Sequence, residues 1–178
     1  MSAGGAQPPS EGLAFEGRSE DPTLEIIDRP AAASLIELLA AWNAWPKVGR
    51  VPRRSAFDPV AFPRLLPWIG LVEFHARPNR YRDYDALYRY VGSARAEMFR
   101  TSGMTRSYMS ELQQGGERWF AVYDRLIADA GPLVVRGRPY LVGRDFMRFE
   151  MLMLPLGRDK PVEDDRVAYI LSLAHFAA

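Results

Sequence analysis

Glu73 and His75 sit two residues apart in an apolar stretch, so a strand would place both side chains on one face. A carboxylate beside an imidazole can act as a base pair or as half a metal site. The simpler reading is a solvent-facing polar pair. The other histidine, His175, lies near the chain end with Val167 and Leu171 on its side of the strand, which fits a structural role better than ligation. Among the acids, Asp124 and Glu150 face solvent by period. No G-x-S-x-G elbow, P-loop, dinucleotide fingerprint or H-E-x-x-H motif occurs. The remaining material for a site is aromatic and thioether. Tyr90, Phe99, Tyr108, Phe120, Tyr123, Phe149, Met151 and Met153 could line a small-molecule pocket between sheet and helices, with tyrosine hydroxyls as polar anchors and methionines adapting to shape. The alternative is that they fill a core.

Composition narrows the chemistry further. The 178 residues contain no cysteine, which removes disulfides, thiolate nucleophiles and cysteine metal sites. The 23 basic residues, of which only Lys47 and Lys160 are lysine, nearly balance 22 acids at a net charge of +1. No bulk field therefore recruits nucleic acid or an anionic membrane. The basic strip of Lys47, Arg50, Arg53 and Arg54, broken by Pro52, could hold phosphate but reads more simply as a solvated linker. No secretory h-region occurs, and no apolar run approaches the ~18 residues of a membrane span. A cytoplasmic location without membrane attachment is expected.

The elements that must carry these residues follow from spacing. Residues 1–22, with Gly4-Gly5 and Pro8-Pro9, predict a disordered tail. Residues 23–56 comprise an N-terminal helix and a linker, and residues 57–178 the main domain. Leu35, Leu38, Leu39 and Trp42 recur at helical spacing between Pro30 and Pro46, with Ile36 and Trp45 widening the stripe, and Glu37 is the only charged residue there. So apolar a helix must pack on its own domain or on a second copy. Asp58–Pro67 predicts short turns. Trp68–His75 and Ala86–Val91 predict an antiparallel strand pair in which Tyr88 and Tyr90 share a face. A short helix capped by Ser93 runs to Phe99, a turn spans Ser107–Leu112, and a longer helix spans Glu117–Ala130 up to Gly131-Pro132. Strands follow at Leu133–Arg138, Asp145–Leu154 and Arg166–Phe176. The last is apolar on both faces, so both must be covered. Periodicity alone makes this an α+β protein.

The order of these elements, together with certain motifs, resembles a bacterial family of short, stand-alone PAS-domain proteins over roughly residues 35–176. The likeness rests on Phe57-Asp58-Pro59, on Phe62-Pro63-Arg64-Leu65-Leu66-Pro67, and on Leu87–Gly92 running into Glu97-Met98-Phe99. It rests also on Arg148-Phe149-Glu150-Met151-Leu152-Met153-Leu154-Pro155-Leu156. One departure is Arg106, where the family often has glycine. The resemblance implies a PAS-like five-stranded antiparallel sheet with helices inserted between strands two and three, plus the N-terminal amphipathic helix.

It also implies a sensing or interaction module with no reaction attached, working through a regulatory protein partner, a small apolar or aromatic ligand, or both. A homodimer through the N-terminal helix is expected, with Leu35, Leu38, Leu39, Trp42, Tyr169 and Leu171 at its interface. Haem is not expected, because neither histidine falls on the Phe120–Ala130 helix where haem-binding PAS domains usually carry their ligand, although His75 or His175 could ligate it unconventionally. Cysteinyl-flavin chemistry lacks its thiol. Non-covalent flavin stays open, and the cofactor, if any, is unnamed. Two other readings stand beside this one: a small cone-shaped α+β enzyme acting on a hydrophobic substrate, and a ligand-free structural adaptor.

Overall fold

A computed structural model describes residues 24–99, 104–111, 116–139, 147–160 and 166–177. The expected tail, residues 1–22, lies outside them. The chain is α+β, built on a six-stranded antiparallel sheet. In chain order the elements are β1 (Glu25–Ile27), α1 (Ala33–Ala44), β2 (Lys47–Val48), β3 (Val51–Pro52), β4 (Ile69–His75), β5 (Asp85–Val91), α2 (Ser93–Met98), α3 (Gly116–Asp129), β6 (Leu133–Gly137), β7 (Arg148–Leu156) and β8 (Tyr169–Ala177). The sheet order is β1-β6-β7-β8-β4-β5, and β2 and β3 form a separate small hairpin. The sixth strand is β1, which lies on the outer edge of β6. Sequence reasoning did not find it, because three residues beside charged positions carry no period.

The long central strands show why the sheet is covered on both sides. Along β7, Phe149, Met151 and Met153 enter one core, while Leu152, Leu154 and Leu156 enter another. Strand alternation sends consecutive residues to opposite faces, so a run apolar at every position needs two covers. The first face packs on α3 through Phe120, Val122, Tyr123 and Leu126. The second packs on α1 through Leu35, Leu38 and Trp42.

Helix α1 has no side-chain N-cap and no basic residue in its last turn, so packing must hold it. Leu35 and Leu38 are fully buried, and the Trp42 indole Nε1 donates to the Pro155 carbonyl at 3.0 Å. Ile36, counted in the apolar stripe, is 50% exposed. The expected dimer residues Leu35, Leu38, Trp42 and Leu171 are thus spent inside their own chain. Leu39 and Tyr169 are half-buried beside the same core.

Two local expectations need correction. Ser93 does not cap α2: Gly92 occupies that position and no side-chain cap bond forms. The basic strip is not a free linker. Arg50 Nη2 donates to the carbonyls of Ala128 (2.9 Å) and Asp129 (2.8 Å), placing a cation on the C-terminal end of α3. Lys47 lies 4.6 Å from the Trp42 ring centroid, and Arg53 Nη1 donates to Arg158 O at 2.6 Å. Arg106 takes φ 73°, the left-handed region that glycine occupies without penalty.

Candidate functional site: a cleft on the α1 face

Strand β5 carries the local irregularity on which the site depends. Leu71 pairs with Tyr90, but the next β4 residue, Val72, pairs with Tyr88, so Arg89 is an extra residue in β5. Such a bulge reverses the facing of everything beyond it. Tyr88 remains in the α3-side core, whereas Tyr90 turns to the other face, 40% exposed, with its hydroxyl donating to Leu66 O at 3.0 Å. The expectation that Tyr88 and Tyr90 share a face therefore fails.

Arg89 and Tyr90 both line an open cleft of about 670 Å³ on the α1 face of the sheet. Ile69 and Leu71 of β4 form its apolar floor, with Leu66, Phe57 and Pro59 from the turns that precede that strand. Its polar wall is made by Arg54, Arg89, Asp159 and Tyr169. Both Phe57-Asp58-Pro59 and the Leu65-Leu66-Pro67 stretch contribute through short helical turns: Pro59–Ala61, where Asp58 caps Val60 N at 2.9 Å, and Leu66–Trp68.

The two acids at the cleft are already engaged. Asp159 Oδ1 accepts from Ser55 N at 2.9 Å. Burial pushes its carboxyl up, but the Ser55 hydrogen bonds and the charges of Arg54 and Arg53 leave it below the ordinary aspartate value. At the cleft edge, mostly buried Glu73 gathers His75 Nε2 (3.4 Å), Arg89 Nε (3.5 Å), Arg158 Nη1 (3.2 Å) and the Tyr169 hydroxyl (3.3 Å). Burial again raises the carboxyl, and His75 together with Arg89 and Arg158 brings it net below its ordinary value. The pair Glu73–His75 is therefore part of an ion network. The other side of the His75 ring lies 3.1 Å (Nδ1) from the Tyr108 hydroxyl.

At the opposite end of the same face, Glu150 is also mostly buried, not solvent-facing. It accepts from Arg136 Nη2 at 2.8 Å and from Ala31 N at 2.9 Å. Burial raises it, and these donors bring it below the ordinary value. His175 pairs in register with Glu150 and lines a smaller cleft of about 330 Å³ with Arg136 and Arg148.

These shifts give a pH dependence. A carboxylate whose folded-state value lies below its unfolded one adds stability above the unfolded value and loses it as pH falls through the folded one. The urea midpoint is thus expected to hold between pH 5 and 7 and to fall below about pH 4.5, with a shallower fall in the double variant Glu73→Gln/Glu150→Gln. Equal pH slopes for variant and parent would contradict the two networks.

The eight pocket residues expected from sequence separate in space. Phe120, Tyr123, Phe149, Met151 and Met153 pack together in the α3-side core, with Phe99 against it; Tyr108 lies outside that cluster beside His75, and Tyr90 lies across the sheet in the cleft. That core also buries Arg95, 8% exposed, whose Nη1 donates to Ser172 Oγ at 2.7 Å and Nη2 to Met151 Sδ at 3.7 Å. Burial lowers its pKa. Tyr169, expected at a dimer interface, lines the cleft.

Sequence reasoning missed Arg54, Phe57, Leu66, Ile69, Leu71, Arg89 and Asp159 as lining residues. The Phe-Asp-Pro and Leu-Leu-Pro motifs were visible, but a bulge leaves no residue-type signal. Among the described residues, no three His, Asp or Glu side chains assemble as a metal site, and no helix is long and apolar enough to cross a membrane. No family model, curated protein or solved structure matches the chain.

Proposed function

We propose that this chain is a PAS-type sensory and regulatory module that binds a small apolar or aromatic molecule and acts through contact with a partner protein. The observation that carries the binding half is the 670 Å³ cleft, whose apolar floor and few polar wall groups match the general make-up of small-molecule sites. The PAS reading is supported by element order: α2 and α3 fall between β5 and β6, the second and third of the five strands β4–β8. A non-catalytic role is supported by the state of the acids. Glu73 and Asp159 are held ionised by cations and hydrogen bonds, which makes them weak bases, and neither histidine lines the cleft.

The test is a fluorescence titration with N-phenyl-naphthylamine, a neutral apolar dye that brightens out of water. Saturable one-site binding is expected, weakened about 10-fold or more in Leu66→Trp, which narrows the cleft. No saturable binding, in a protein with an unaltered melting profile, contradicts the reading. That result would instead favour a ligand-free adaptor.

A further inference from the structure

The walls of the cleft do not balance in charge. Arg54 and Arg89 face one aspartate, Asp159, and that carboxylate is bound to the backbone of Ser55. Glu73, beside the cleft, pairs with Arg89 at 3.5 Å from Nε, but divides its oxygens among His75, Arg158 and Tyr169 as well. The two terminal nitrogens of Arg89 have no hydrogen-bond partner among the described residues, and its side chain is 55% exposed. Arg54 spends Nη1 on Phe57 O at 3.3 Å and rests 5.6 Å from the Phe57 ring centroid.

The bulge gives Arg89 its place. Without the extra residue, alternation would put Arg89 or Tyr90 on the α1 face, never both. With it, a guanidinium and a phenol ring stand side by side over a floor of Ile69 and Leu71. A planar guanidinium fork is suited to bidentate carboxylates and sulfonates, and the flanking Tyr90 and Tyr169 rings suit a flat hydrocarbon body.

We infer that the cleft takes an aromatic acid, with its anionic group on Arg89 and Arg54 and its ring on Ile69, Leu71 and the two tyrosines. This rests on the ligand-binding reading above and specifies its ligand class. A volume of about 670 Å³ accommodates one such molecule of drug-like size.

The experiment compares two dyes that share an arylamine skeleton and differ in one sulfonate: anilinonaphthalene sulfonate and N-phenyl-naphthylamine. In the wild-type chain the sulfonate is expected to bind about 10-fold tighter, and added salt to erode that preference. Arg89→Met keeps the aliphatic stem and should weaken the sulfonate about 10-fold, leaving the neutral dye within about twofold. Arg54→Met should act in the same direction. Both side chains are on the cleft wall rather than in a core, and circular dichroism of each variant is the check on folding. Equal affinity for the two dyes, or arginine variants that leave the sulfonate unchanged, overturns the aromatic-acid inference while the ligand-binding reading stands. Saturable binding of neither dye removes both.

Discussion

Replacing Trp42 by alanine is expected to lower the unfolding free energy by about 3–5 kcal/mol, the usual cost of emptying a large aromatic site in a core. Trp42 is 4% exposed and packs with Leu35 and Leu38 against Leu152, Leu154 and Leu171. The change also leaves the Pro155 carbonyl without its indole donor, and a buried acceptor stripped of its partner adds its own desolvation cost. Lys47 loses the ring it covers. Because α1 lies on its own sheet, the melting temperature of both wild type and Trp42→Ala is expected to be independent of protein concentration. A chain whose stability instead rises with concentration would show that α1 takes its neighbours from a second copy. Denaturant melts at two concentrations a hundredfold apart settle the point.

The second large effect concerns Gly92, which joins β5 to α2. A Cβ there would stand 2.3 Å from Pro67 O and 2.4 Å from Leu66 O, and both obstacles are backbone. No side-chain rotation relieves such an overlap, so the turn preceding β4 must move away. Gly92 N also donates to Ile69 O at 2.8 Å, so the glycine cannot retreat without breaking a bond to β4. Gly92→Ala is therefore expected to cost about 3 kcal/mol, the upper end of ordinary overpacking. It should also disturb the cleft, since Leu66 lines it and the Leu66 carbonyl receives the Tyr90 hydroxyl. Weakened dye binding together with a lowered melting temperature is the expected signature. A variant with wild-type melting would contradict the close approach.

The α+β class and most elements were legible because their causes are local and periodic. The Leu35, Leu38, Trp42 spacing marks one helix face, and alternation along Phe149–Leu156 marks a strand buried on both sides. Strand β1 was not legible: Glu25–Ile27 becomes a strand only because β6 offers it an edge. Nor was the site. Period-2 reasoning assigns Tyr90 to the face of Tyr88, and a single inserted residue at Arg89 reverses that assignment. Of the aromatic and methionine set, Phe120, Tyr123, Phe149, Met151 and Met153 join the core between sheet and α3, whereas Tyr90 lies across the sheet. The arginine strip carried a signal of charge but none of destination. Arg50 and Arg53 go to carbonyls, while Arg54 reaches the cleft.

The most direct test of the cleft as the binding site is the N-phenyl-naphthylamine titration followed by backbone amide NMR. Progressive shifts are expected centred on Phe57, Leu66, Ile69, Leu71, Tyr90 and Tyr169, with Phe120, Tyr123 and Met151 across the sheet unmoved. Shifts centred on Phe120, Tyr123 and Met151, with the cleft residues still, would contradict it.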